Sequence, residues 1–120
     1  MKYALLIYAK PGSHEALTRE EYEPVFREYM ALREEPGFID GARLQPEHAT
    51  TTVCVRDGET IVTDGPFAET KDVIAGYYVF DVENLDRALE LAARIPAGRL
   101  GGAIEVRPLV EVYSNAPAGA

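Results

Sequence analysis

The chain has 120 residues, 20 Asp+Glu against 12 Lys+Arg, a formal net charge of −8, and 47% apolar types. At roughly 100–200 residues per domain this is a single domain. Its acidity argues against a protein that coats DNA or RNA, because phosphate binding needs a basic face. No stretch approaches the ~20 apolar residues of a spanning helix. The opening MKYALLIYAKPG lacks a small-residue cleavage site and reads as a strand, not a signal peptide. The lone Cys54 offers neither an internal disulfide nor a zinc constellation. The expectation is a cytoplasmic protein.

The charge is uneven. Residues 1–14 hold two Lys and no acid; residues 15–35 hold seven Glu against three Arg; residues 36–82 hold eight acids against three bases. The second block falls on a predicted helix, where a solvated face is the ordinary reading. The third contains the densest turn chemistry in the chain.

Residues 2–9 (KYALLIYA) predict a buried strand ending at Pro11-Gly12. Thr18 and Glu21 have capping-box spacing. Tyr22, Val25, Phe26, Tyr29 and Leu32 then repeat on one helical face, with Pro24 as an awkward member and Pro36-Gly37 as the stop. Phe38–Leu44 predicts a second strand, with Asp40-Gly41 marking a bulge. Thr50–Val55 alternates. Asp57-Gly58 is a two-residue hairpin signal that sets Arg56 against Glu59, Val55 against Thr60 and Val53 against Val62. Cys54, at a strand centre, is expected in the core. Val73–Val82 predicts a central strand in which Tyr77 and Tyr78 point to opposite faces. Asn84 caps a second helix with a stripe of Leu85, Ala88, Leu89, Ala92 and Ile95, closed by Pro96. Ala103–Val112 alternates as the last strand, with Ile104 and Val106 inward.

The order is β-α-β, a β-hairpin arm, then β-α-β. Without the arm this is the α+β, ferredoxin-like β-α-β-β-α-β plan. Two helices cover one sheet face only, so a homodimer with sheets packed face to face, a dimeric α+β barrel, is expected. The domain is read over 1–113, with a flexible C-terminal tail over 114–120.

Five segments carry a resemblance: Ala42-Arg43-Leu44-Gln45-Pro46, Thr51-Thr52-Val53, the stretch VTDGPFAETK from Val62 to Lys71, Gly76-Tyr77-Tyr78, and Ile104-Glu105-Val106-Arg107-Pro108. Together they resemble the YCII-related family, in its DGPF-type branch, over about 110 residues. The resemblance implies a dimeric α+β barrel with a cleft in each subunit near the dimer seam. Most members of this branch have no assigned activity, and some relatives are small-molecule enzymes. Many are encoded beside extracytoplasmic-function sigma factors, which implies a regulatory link. More distant relatives suggest a His–Asp pair with the His near the first helix. Here the segment from Thr18 to Glu35 holds no His, since His14 precedes it and His48 follows Gln45-Pro46.

Within that implied cleft, Asp64 is the candidate general base; its alternative is a turn-capping carboxylate before Gly65-Pro66. Arg43 and Gln45, two apart on a strand, form a candidate polar wall with Arg43 as carboxylate clamp. Lys71 is a candidate anion ligand, with Glu69 on the same face; the alternative is a solvated ion pair. Phe67 supplies aromatic surface. His48 is a weaker acid/base candidate, and His14 is ranked below it. The two distant His and one Cys form no metal-ligand cluster, so no metal is expected. No G-x-G-x-x-G, P-loop or G-x-S-x-G occurs, so no cofactor is expected. The leading expectation is a small-organic-molecule protein, with cofactor-free proton abstraction, isomerisation or elimination as its chemistry. The alternative is a non-enzymatic accessory protein that engages a basic partner such as a sigma factor.

Overall fold

The computed structural model describes residues 1–68 and 71–110. Its elements are β1 (Lys2–Ala9), α1 (Arg19–Leu32), β2 (Phe38–Arg43), β3 (Thr51–Arg56), β4 (Glu59–Asp64), β5 (Val73–Asp81), α2 (Leu85–Ala93) and β6 (Ala103–Pro108), with single 3₁₀ turns at Glu47–Ala49 and Pro96–Gly98. The four long strands form one antiparallel sheet in the order β2-β5-β1-β6. This is the ferredoxin-like α+β arrangement, interrupted by the β3–β4 ribbon. The expected tail, 114–120, lies outside the described residues.

Alternation along β1 builds the core. Tyr3, Leu5, Ile7 and Ala9 are buried and meet Tyr78 and Phe80 of β5, Leu32 of α1, and Ala88 and Leu91 of α2. Phe38 stands edge-on to both Tyr78 and Phe80, with ring centroids 6.2 and 5.8 Å apart. On α1, Val25 and Leu32 of the expected stripe are buried, while Tyr22 and Tyr29 are half-buried. On α2 the stripe turns relative to expectation. Leu91 is fully buried, whereas Leu85 and Leu89 face outward. Ala88, Leu91, Ala92 and Ile95 also have helical spacing, and this is the row that is buried.

Local signals settle the element boundaries. Thr18 Oγ1 accepts from the Glu21 amide at 3.1 Å and Glu21 Oε1 accepts from the Thr18 amide at 2.9 Å, so the capping box closes in both directions. The helix runs through Pro24, whose ring lies on the exposed side. Asn84 accepts from the Arg87 amide at 3.0 Å. The bulge in β2 falls between Phe38 and Asp40, one residue before its expected place. At the hairpin turn Asp57 and Gly58 have φ of 51° and 79°, the conformation that a type I′ turn requires, and all three expected pairs form.

Two of the four glutamates on α1, Glu23 and Glu28, are ion-paired within the chain. Glu23 lies 3.7 Å from Arg19 and 3.8 Å from Arg27, Glu28 pairs with Arg99, and Glu35, just past the helix, receives both Arg87 and Arg94.

Among the described residues two apolar surfaces are left without cover. The sheet face opposite the helices carries Ala4, Leu6, Tyr77 and Val79, all half-buried, and no described helix crosses it. Tyr77 there donates to Asp40 Oδ2 at 3.2 Å. The β3–β4 ribbon exposes Val53, Val55 and Val62 on one side and Ile61 on the other. Cys54 is therefore half-buried on an arm and not in the core, a correction that follows from the arm packing on no layer.

Candidate functional site

A cavity of about 390 Å³ opens between α1, the β1–α1 loop, and the β2 and β5 ends nearest that loop. Its floor is Ile7 and Ala9; its aromatic wall is Tyr22, Phe26 and Tyr29 from successive turns of α1. Arg43, Leu44 and Gln45 form the opposite wall. Gly76 lets β2 approach, since a Cβ there would lie 2.6 Å from the Ala42 carbonyl oxygen.

The β1–α1 loop delivers a histidine. Ser13 donates its amide to the Lys10 carbonyl at 3.0 Å across Pro11-Gly12, and Gly12 has φ of 80°. Proline then glycine at the two central positions is the type II turn preference. The chain reverses onto α1, so that His14 Nε2 lies 2.7 Å from Tyr29 Oη, and His14 Nδ1 lies 3.1 Å from Ser13 Oγ. Burial, then the nearby Arg43 charge, lowers the His14 pKa below 6.5, with Glu15 opposing. Burial pushes the Tyr29 hydroxyl up to about 12, although the Ala97 amide beside it acts in the other direction. Both shifts favour the neutral forms, an imidazole facing a phenol.

Arg43 sits across the cavity on the helix side of β2. Its Nη1 donates to Tyr22 Oη at 2.6 Å and its guanidinium lies 5.8 Å from the Tyr22 ring centroid. It is exposed and has no carboxylate partner among the described residues; the same holds for Arg33, which lines the same cavity, donates to the Gly41 carbonyl at 3.2 Å and lies 5.0 Å from the Phe38 ring centroid. A guanidinium held by a phenol and a ring face keeps most of its donors for a ligand.

The structure thus brings together two of the residues singled out in sequence, Arg43 and Gln45. Phe67 is 78% exposed and lines a second, shallower groove of about 770 Å³, where Gln45 and Tyr8 also appear. Asp64 ends β4 fully in the open, outside both linings. The turn after it is held by other groups: the Gly65 amide donates to the Thr50 carbonyl at 2.7 Å and Thr52 Oγ1 donates to the Gly65 carbonyl at 2.6 Å. His48 is exposed in the 3₁₀ turn, and Lys71 is exposed with no ion pair to Asp64 among the described residues. Both lie outside the two linings. Glu69 lies outside the described residues. Among the described residues no three His, Cys, Asp or Glu converge as a metal site, and no helix is long and apolar enough to cross a membrane.

Sequence reasoning ranked His14 below His48 and passed over Tyr22 and Tyr29 as site residues. The usable signal was their spacing: seven residues apart, they lie two turns apart on one face of α1, and the Pro11-Gly12 turn throws His14 back toward that face.

Comparison with known proteins agrees with this fold. The YCII-related domain model matches residues 1–113. An uncharacterized protein of Rhizobium meliloti (strain 1021) is 42% identical over 114 residues, covering 91% of this chain and 92% of the relative. With a family model spanning nearly the whole chain and a full-length relative at that identity, the chain belongs to the YCII-related family.

Proposed function

We propose that this chain binds a small organic anion in the α1–β2 cavity, with Arg43 as the clamp, and performs cofactor-independent proton chemistry there. The observation that carries the reading is Arg43 itself, an exposed guanidinium with no carboxylate partner among the described residues, lining a largely apolar cavity beside Arg33. An unpaired cation in such a setting favours an anionic ligand with an apolar body. Within this proposal the proton acceptor is placed at His14 and Tyr29, which line the cavity, in preference to Asp64, which does not.

The VTDGPFAETK stretch supports a DGPF-type assignment within the family. The uncovered face of Ala4, Leu6, Tyr77 and Val79 supports a homodimer joined through its sheets. The rival reading, an accessory protein docking a basic partner through acidic α1, has less to draw on, because Glu23 and Glu28 are already paired within the chain.

The test is calorimetric titration with a panel of aromatic and aliphatic carboxylates, each beside its neutral amide. Carboxylates should bind and amides should not. Arg43→Gln should weaken binding by roughly 10- to 100-fold, the equivalent of losing one charge-assisted contact. Equal binding of acid and amide, or unchanged affinity in the variant, overturns the reading.

A further inference from the structure

The contacts around Tyr29 assign a direction to its hydrogen bond. Among the described residues the acceptor within reach of its own O–H is His14 Nε2 at 2.7 Å. A half-buried hydroxyl finds an acceptor where one is in reach, so the Tyr29 proton points at Nε2. Nε2 must then be bare, and the imidazole carries its hydrogen on Nδ1, where Ser13 Oγ accepts at 3.1 Å. The result is one ordered line: Tyr29 O–H to His14 Nε2, His14 Nδ1–H to Ser13 Oγ. A phenol oxygen that donates its hydrogen keeps its lone pairs for a ligand.

We propose that Tyr29 and His14 are a two-step proton acceptor for a ligand whose carboxylate Arg43 holds, so that the cavity takes organic acids bearing a second, weakly acidic hydroxyl, phenolic or enolic. The proposal rests on the anion-binding reading above. In the transfer the ligand O–H bond breaks and its electron pair stays on the ligand oxygen. That proton forms a new bond to Tyr29 Oη while the original Tyr29 proton passes to His14 Nε2. Tyr29 ends as it began, His14 becomes imidazolium, and the ligand gains one negative charge. The new charges lie on opposite sides of Tyr29. Groups facing His14 are Ser13 and Glu15 on its own loop, Tyr29 on α1 and Arg43 on β2. Glu15 favours the imidazolium and Arg43 opposes it.

The first test needs no ligand. The chain has two histidines, so long-range ¹H–¹⁵N spectra contain two imidazoles, assigned by His14→Gln. His14 should be neutral at pH 7 with its hydrogen on Nδ1. A hydrogen on Nε2 would reverse the line and overturn the proposal. The second test uses 4-hydroxy-3-nitrophenylacetate, whose phenolate absorbs in the visible, at a pH where the free probe is a neutral phenol, with protein in saturating excess. The bound probe should show a phenolate-to-phenol ratio at least about tenfold above that of the free probe, one pKa unit. That gain should vanish in Tyr29→Phe and in His14→Gln. A probe bound to the wild type as neutral phenol overturns this inference and leaves the anion-binding reading standing. If wild-type protein binds neither the probe nor phenylacetate, the anion-binding reading falls and takes the inference with it.

Discussion

The Tyr78 hydroxyl donates to the backbone carbonyl of Tyr29 at 2.7 Å, joining the centre of the sheet to the last turn of α1. That carbonyl is available because the helix tightens there. Arg33, Glu34 and Glu35 donate to Met30, Ala31 and Leu32, three residues back instead of four. The carbonyl at Tyr29 is thereby left over, as helix ends leave carbonyls over, and a sheet hydroxyl takes it. The bond fixes the residue whose side chain faces His14. Tyr78→Phe keeps the ring and strands a carbonyl, at a cost of about 1–3 kcal/mol. Urea unfolding followed by circular dichroism should show the loss; an unchanged midpoint would mean that water replaces the hydroxyl.

Two positive-φ glycines should respond differently to alanine. Gly37 has φ of 92°, and a Cβ there would sit 2.3 Å from the Asp81 carbonyl oxygen, the strand that β2 joins. Gly58 has φ of 79° at the arm turn, with nothing within 4 Å. Gly58→Ala should cost only the left-handed backbone term, about 1–2 kcal/mol. Gly37→Ala should cost more, because backbone must also move. Thermal midpoints of the two variants give the order, and a reversed order contradicts the close approach.

Acid should act in two stages. The folded His14 pKa lies below its free value of 6.5, chiefly through burial. The unfolded chain then binds more protons between the two values, so this contribution is complete above pH 6.5 and is lost as pH falls through the folded value. Glu35 lies below 4.5 first because of its hydrogen bond from Arg94, with Arg87 adding to it, and Glu21 lies below 4.5 because of the Thr18 backbone amide. Their contributions are complete above 4.5 and are lost at lower pH. Urea midpoints measured from about pH 7 to 5 should decline in the wild type and stay flat in His14→Gln, with both declining further below 4.5.

Leu6→Asp tests the proposed sheet-to-sheet homodimer. Leu6 lies on the uncovered face opposite Tyr77 and Glu105, while its neighbours Leu5 and Ile7 hold the core. A carboxylate there leaves the helix side intact and cannot be desolvated in an apolar seam. Sedimentation equilibrium should show a dimer for the wild type and a monomer for the variant. A wild-type monomer refutes the homodimer.

Much of the site was hidden in sequence because its members meet only through the fold. Arg43 and Gln45 were visible, as alternate residues of one strand share a side. Asp64 sat in a motif dense with turn residues; it and Lys71 lie outside both linings, although Pro66 and Phe67 of the same stretch line the second groove. The α2 stripe shows the same limit, since a pattern of Leu85, Ala88, Leu89, Leu91 and Ala92 is compatible with two rotations of the helix. The sheet beneath selects the one that buries Leu91.

What neighbours in sequence decide, the sequence determined alone. The capping box at Thr18, the type I′ turn at Asp57-Gly58 and its register, the Asn84 cap and the alternation of β1 each depend on residues within a few positions. Their hydrogen bonds and sterics are local. Tertiary structure decided which side chains converge: His14 with Tyr29 across 15 residues, Arg43 with Tyr22 across 21, and Tyr78 with the Tyr29 carbonyl across 49. Those meetings follow from a crossover that lays α1 over β2 and β5, and from burial that lowers the pKa of a loop histidine set beside a phenol.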